Sequence, residues 1–301
     1  MLRQTAPTRK RVDRGRLLSS PVPVKNERDT TTRLPPVQTP VELGPYLSDL
    51  WRRRRFALAA PAAEFRASTA GSVLGNAWHL LSPLLLVGIY YVIFGVVLDV
   101  DRGTKNFVLF LAVGVFVFQF LSRSCVRGAS AIRTNSGLMR ALYFPRALVV
   151  LSTTVEAALL LSPALVLLLV LGGIADPSAL VLAPLLIPVL AQCLLLAFAL
   201  GLLCANLGHK SRDFVFVLPF ALRVLFYASG TLFDLRGFAS ERVWQLLLIA
   251  NPFAGTIQMF RAVLLNDAMP LVAVIATVTW TAALLAAGLV MFTRDEHSYG
   301  Y

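Results

Sequence analysis

The sequence predicts an all-α integral membrane protein, with six transmembrane helices, an N-terminal amphipathic interfacial helix and a short external re-entrant hairpin before the last helix. Three observations lead to that class. The chain is 57% hydrophobic and only 15% charged, with a mean hydropathy of +0.71, well outside the range of water-soluble domains. Its apolar residues fall in blocks of Leu, Val, Ala and Phe, each about long enough to cross a hydrocarbon core of roughly 30 Å. Its basic residues gather ahead of the first block and in the loops of one predicted side.

Residues 1–44 mix Arg, Lys, Thr and Pro, as in Arg9-Lys10-Arg11, Pro21-Val22-Pro23 and Pro35-Pro36. With no apolar core to bury, they read as a disordered basic cytoplasmic tail. No continuous hydrophobic run follows the first basic residues, which argues against a cleavable signal peptide. Residues 45–76 form the interfacial region. There Trp51, Arg52, Arg53, Arg54, Arg55 and Phe56 follow Leu47 and Leu50, and Leu47, Leu50, Trp51 and Leu58 share a helical face. Such a helix lies in the headgroup layer with its arginines toward anionic lipid. A solvated basic run belonging to the tail is the alternative.

The membrane domain occupies residues 77–293, and residues 294–301 form a cytoplasmic C-terminus. The expected spans are Trp78–Leu98, Phe107–Arg123, Ala147–Leu171, Leu180–Asn206, Phe214–Phe233 and Leu271–Phe292. The loop after the second span holds Arg127, Arg133, Arg140 and Arg146, and the loop after the fourth holds His209, Lys210 and Arg212. The other loops hold Arg102, Lys105, Arg236, Arg242 and Arg261, balanced by Asp99, Asp101, Asp176, Asp234, Glu241 and Asp267. The positive-inside rule therefore puts both termini in the cytoplasm. This placement, with 14 of the 28 basic residues ahead of the first block, ties the pI of 10.3 to membrane orientation and excludes nucleic acid as the partner.

Between the fifth and sixth spans, Asp234–Pro270 holds two apolar stretches broken at Asn251-Pro252, each too short to cross. A hairpin dipping in from outside fits this pattern; a plain external helical pair is the alternative.

Few residues suggest chemistry. There is no GxxxxGK[ST] loop; Gly208-His209-Lys210-Ser211 lacks both the spacing and the room for a nucleotide fold. Asp99-Val100-Asp101 has the form of a metal-binding DxD pair, for which a solvated helix end is the commoner explanation. The histidines His79, His209 and His297 are scattered. Cys125, Cys193 and Cys204 form no CxxC pair and read as small buried apolar residues. No metal is expected.

Charged residues inside spans are costly unless paired or wetted. Glu156 and Arg223 lie at nearly the same expected depth and are candidates to pair. Phe216, Phe220, Arg223 and Tyr227 follow i, i+4, i+7, i+11 on the fifth span, an aromatic stripe containing one cation. Two explanations remain open for it: a sugar pathway with a phosphate-binding Arg, or lipid-facing Phe with Arg223 neutralising Glu156.

Several stretches resemble the ABC-2 type permeases that export O-antigen, teichoic acid, cell-wall galactan and related polysaccharides. These are Phe65-Arg66-Ala67-Ser68 with Leu74-Gly75-Asn76-Ala77-Trp78 and Ser82-Pro83-Leu84; Asn135-Ser136-Gly137-Leu138 with Tyr143-Phe144-Pro145-Arg146; Ser229-Gly230-Thr231-Leu232-Phe233; and Asn251-Pro252-Phe253-Ala254. The resemblance runs from about Tyr46 to the C-terminus. It implies a bacterial plasma-membrane subunit without its own ATPase site, paired with a second copy of itself and two copies of a separate ATPase that binds ATP and Mg. It further implies a lipid-linked polysaccharide as cargo. A coupling loop would contact the ATPase through Arg133, Asn135, Arg140, Phe144, Pro145 and Arg146. Trp51, Arg52, Arg53, Arg54, Arg55 and Arg66 would meet lipid head groups, and Asn251, Pro252 and Phe253 would form an external gate. Trp78, Tyr90, Phe116, Phe120, Phe216, Phe220, Arg223 and Tyr227 would line the channel.

Overall fold

In the computed structural model, residues 48, 52, 75–97, 106–137, 145–234 and 240–295 are described, and no strand occurs among them. A 3-10 turn at Gly75–Ala77 leads into α1 (Trp78–Tyr90), which continues as a π-helical stretch, Tyr91–Val97. Then follow α2 (Phe107–Thr134), α3 (Ala147–Ala175), two short turns at Ala179–Leu182 and Ala183–Leu185, and α4 (Leu186–Lys210). After these come α5 (Arg212–Ala228), α6 (Glu241–Ala250), α7 (Pro252–Leu264) and α8 (Leu271–Asp295).

Among the described residues, five helices are long and apolar enough to cross a membrane, and six if the bent pair α6–α7 is one span; α5, at 17 residues, is not one of the five. The blocks predicted from sequence lie in helices whose boundaries differ from the expected ones by up to eleven residues, and two of the shifts bear on the site. α2 runs eleven residues past the expected end at Arg123, so Arg127 and Arg133 are helical rather than loop residues. Hydropathy marks where a helix turns polar, not where it stops, and the segment from Ser124 to Thr134 is more polar but holds no proline. At 28 residues, α2 is about 42 Å long. α5, by contrast, is only 17 residues and stops at Ala228. There Ser229 leads into Gly230, whose φ of 63° is open to glycine without strain.

α2 is the buried helix of the fold. It packs most extensively on α4 and α3 and also meets α7, while α8 lies on α4 and α7. Leu111, Val115, Phe120 and Leu121 are fully enclosed on α2, and Leu196 and Leu202 on α4. Where lipid is as apolar as the packing surface, such contacts gain from close approach rather than from leaving water. Small residues provide that approach. A Cβ at Gly128 would stand 2.7 Å from the Gly201 carbonyl oxygen, and one at Gly208 would collide with the Ala129 carbonyl. Cys125 and Cys204 fill the same seam, and all three cysteines are free and buried.

Polar side chains add specific ties. Gln192 on α4 donates to the Thr277 carbonyl at 3.2 Å and to Thr281 Oγ1 at 2.6 Å on α8. At the end where α3 and α7 finish, Asn266 Nδ2 donates to Asp176 Oδ2 at 3.1 Å and Ser178 Oγ at 2.9 Å.

If the α2–α4 contact sets the fold, Gly128→Val should destabilise it by about 1–3 kcal/mol. Thermal unfolding of the purified protein in detergent should show a clear drop in Tm. A Tm equal to that of the parent would refute the close-approach account.

Candidate functional site

Two features stand out, a groove between α1, α2 and α5 and the break between α6 and α7. The groove encloses about 300 Å³. Its walls include Tyr90 from α1, Gln119 and Arg123 from α2, and Arg223, Phe226 and Tyr227 from α5. The α5 face follows from helical spacing. Pro219, Leu222, Arg223, Phe226 and Tyr227 fall at i, i+3, i+4, i+7 and i+8, a single side of the helix.

Aromatic contacts hold the groove in shape. Phe226 meets Phe118 edge-on at 5.0 Å, Tyr227 edge-on at 5.4 Å and Tyr90 at 5.7 Å between ring centroids. Phe118 in turn packs on Phe253 of α7 at 5.2 Å. The cluster therefore links α1, α2, α5 and the break in one set of ring contacts, of a kind worth about 0.5–1.5 kcal/mol per pair beyond area burial.

The charges are arranged differently from the sequence expectation. Glu156 on α3 is buried and accepts from Arg127 on α2 at 2.9 Å, rather than pairing with Arg223. The extension of α2 accounts for this, because it carries Arg127 alongside α3. Arg123, one turn earlier, reaches Gln119 Oε1 at 3.4 Å, at the long limit for a hydrogen bond. Arg223 is exposed on α5 and opens into the groove.

At the break, α6 and α7 meet at 109°. Pro252 occupies the first turn of α7, where its missing N–H costs nothing. Asn251 caps that turn, accepting from Phe253 N at 3.0 Å and Ala254 N at 3.4 Å. Its amide donates to Ser229 Oγ at 2.9 Å. Trp280 Nε1 donates to the Ile249 carbonyl at 2.7 Å, satisfying the end of α6.

Three turns further along α7, Arg261 was expected in an external loop but is only 2% exposed. Its guanidinium donates to the Phe110 carbonyl at 3.1 Å, to Gly230 at 2.8 Å and to Thr231 at 2.9 Å. It also lies 3.3 Å over the Phe110 ring, a favourable cation–π position. Gly114 leaves room for it, since a Cβ there would approach Arg261 to 2.8 Å. Arg261 gave no sequence signal beyond its place four residues before the end of an apolar stretch.

The predicted channel residues separate into three groups. Tyr90, Arg223 and Tyr227 line the groove. Phe116 and Phe120 are 2% exposed, packed within the bundle beside Ala157 and Leu161. Trp78 is half-exposed, and Phe216 and Phe220 point outward from α5 at 72% and 69% exposure, outside the groove lining. The single aromatic stripe is therefore divided, because the α5 face that meets α1 and α2 is turned toward Leu222 and Phe226. Gln119, Ser122 and Arg123 are groove residues that the sequence did not single out; Arg123 had been taken as the end of a span. Among the predicted coupling residues, Arg133 lies in the last turn of α2, Asn135 is its C-cap, and Pro145 and Arg146 precede α3. Arg140 and Phe144 lie outside the described residues, as do Trp51, Arg53, Arg54, Arg55, Arg66, Asp99 and Asp101. Arg52 is exposed. No cluster of His, Cys, Asp or Glu suited to a metal occurs among the described residues.

A helical bundle with several apolar spans around a packed central helix defines a multi-pass helical membrane protein. Residues 58–265 match the ABC-2 type transporter family, and the chain belongs to that family. It is similar to the O-antigen export system permease protein RfbA of Myxococcus xanthus, with 30% identity over 235 residues, covering 76% of this chain and 88% of that protein. It is also similar to the O-antigen export system permease protein RfbA of Klebsiella pneumoniae, at 25% identity over 202 residues, covering 66% of this chain and 75% of that protein.

Arg261→Gln should lower stability by about 2–5 kcal/mol, because truncation leaves buried carbonyls unmet. Asn251→Ala should cost about 1 kcal/mol from the cap alone and more through Ser229. Thermal unfolding of the two single variants and the double variant checks this, with the double below either single; two variants as stable as the parent would contradict the assigned contacts.

Proposed function

We propose that this chain is the membrane-spanning permease subunit of an ATP-binding-cassette exporter that moves a lipid-linked polysaccharide outward from the cytoplasmic side. Two copies of the chain work with two copies of a separate ATPase subunit, which supplies ATP hydrolysis. The observation that carries this reading is the groove: in a member of the ABC-2 family similar to proteins named as O-antigen export permeases, an aromatic surface with hydroxyl, amide and guanidinium groups opens between α1, α2 and α5. Aromatic faces stack on sugar rings without demanding one particular sugar, so a repeating polymer can slide past.

On this reading α1–α5 and α8 are the six spans, both termini are cytoplasmic, and α6–α7 is a hairpin entering from outside. The bacterial plasma membrane covers the exposed apolar faces of α1 and α5, which include Leu85, Ile89, Phe216 and Phe220. The polar end of α2 and the segment leading to α3 form the coupling loop, with Arg133, Asn135, Arg140, Phe144, Pro145 and Arg146 toward the ATPase. The region around Trp51–Arg55 and Arg66 lies on the lipid head groups.

Depleting the chain in its host should leave lipid-linked glycan accumulating inside the cell, read by extraction and gel analysis of the lipid-linked pool. Unchanged glycan would eliminate a polysaccharide cargo and favour a small-molecule exporter of the same architecture. Arg140→Glu should reduce co-purification of the ATPase subunit several-fold while the permease still inserts; undiminished co-purification would remove Arg140 from the contact. Changing Asp99 and Asp101 together to Asn should leave export nearly intact, whereas a membrane glycosyltransferase built on that pair would lose sugar transfer.

A further inference from the structure

Glu156 is the one carboxylate, among the described residues, that lies more than a turn inside a helix. It is buried on α3, and Nη2 of Arg127 on α2 donates to its Oε1 at 2.9 Å, while the Arg127 side chain stays half-exposed. Glu156 stands nine residues after the start of α3 at Ala147, and Arg127 seven residues before the end of α2 at Thr134. Those offsets are about 14 Å and 10 Å. The pair therefore joins the two helices close to the segment that connects them.

Packing at this level is tight without it. Ala131 and Ile132 of α2 share one buried cluster with Ala147, Leu148, Val149 and Val150 of α3. A Cβ at Gly201 of α4 would come to 3.0 Å from Val150 Cγ1. A carboxylate is thus not needed to hold these helices together, and an apolar pair of similar volume often stabilises a bundle as well or better, since neither partner has to lose water. What the ion pair adds is direction. Apolar contact is non-directional and tolerates sliding, whereas a charged hydrogen bond is made in one register, and a slip leaves the carboxylate buried and unmet.

The surroundings give that register a use. Gln119, Ser122, Arg123 and Val126 of α2 line the groove, and α3 contributes nothing to its lining among the described residues. The segment joining α2 to α3 holds the residues assigned above to the ATPase contact. A displacement there is either absorbed by α2 and α3 sliding past one another or passed on by the two helices shifting as one body. A fixed register between residues 127 and 156 closes off the first course.

We propose that Arg127 and Glu156 are a positioning pair that locks α2 to α3, so that displacement of the coupling loop moves the α2 wall of the groove instead of being lost between the helices. The proposal rests on the exporter reading above. The pair acts through α2, not through contact with cargo or nucleotide.

The test uses the full-length chain co-purified with its ATPase subunit in nanodiscs. Bimane on Ser122→Cys reports the groove side of α2, the three native cysteines being buried, and its emission is compared with and without ATP and vanadate. The deciding variant is Arg127→Leu with Glu156→Leu, which keeps packing and removes direction. It should match the parent in Tm and in ATP hydrolysis, while the nucleotide-dependent bimane shift falls to less than about a third of its parental size. A parental shift in a double variant of parental Tm would overturn the proposal and reduce the ion pair to packing. Should the double variant fail to fold, Glu156→Gln decides: a parental shift overturns the proposal, and a reduced shift at the parental ATPase rate supports it. A parent whose emission ignores nucleotide overturns it as well. The exporter reading is judged separately. Normal lipid-linked glycan on depletion together with a lost shift in the double variant sinks only the polysaccharide exporter; glycan accumulation together with an undiminished shift sinks only the pair. A parent that keeps no ATPase subunit through purification overturns both.

Discussion

The break at Asn251-Pro252 frees backbone groups, and the bundle around it depends on each of them finding a partner. Pro252 has no N–H to satisfy. The Asn251 side chain takes the next two amides, and Trp280 of α8 takes the Ile249 carbonyl. Arg261 completes the arrangement from the other end of α7, matching three carbonyls that belong to α2 and to the turn after α5. A sharp bend is thereby held by its own Asn251 and by side chains from α8 and the turn after α5, which is the condition for non-helical backbone where water does not reach it.

These contacts also set how the parts can move. Ser229, Gly230 and Thr231 form the turn that ends α5, and α7 grips that turn at both of its own ends, through Asn251 at its start and Arg261 three turns on. α5 cannot tilt independently of α7 without breaking hydrogen bonds in a dry interior. Since α5 also forms one wall of the groove, any motion of that wall reaches the α6–α7 break. Phe118 touching both Phe226 and Phe253 reinforces the same connection.

The fold class and most helices were legible because hydropathy and block length report directly on what can be surrounded by lipid. The break was legible for a local reason: Asn followed by Pro both caps and starts a helix. What could not be read was which charges meet. Hydropathy assigns Arg261 the same cost whether it faces water or three carbonyls, so it was placed outside. Glu156 was matched with Arg223 by depth alone, whereas the extension of α2 brought Arg127 alongside it. A signal for that extension was present in the spacing of Arg123 and Arg127, four residues apart on a helix with no breaker between them. Gly128, Gly201 and Gly208 likewise marked the α2–α4 seam, but which helices pack together is a long-range fact that one helix cannot announce.

The division of the aromatic stripe carries the functional argument further than an unbroken stripe would have. Phe216 and Phe220, turned outward, suit lipid or a second copy of the chain, and Phe116 and Phe120, enclosed, are packing residues within one copy. What remains in the groove is a mixed surface in which two rings with hydroxyls stand beside two guanidinium groups. A purely aromatic wall would serve any apolar cargo. The groove cations stand apart from Arg261, which is enclosed and donates to three carbonyls, whereas Arg223 is exposed. Among the described residues, the groove sets cations, hydroxyls and an amide beside its rings and has no carboxylate in its lining.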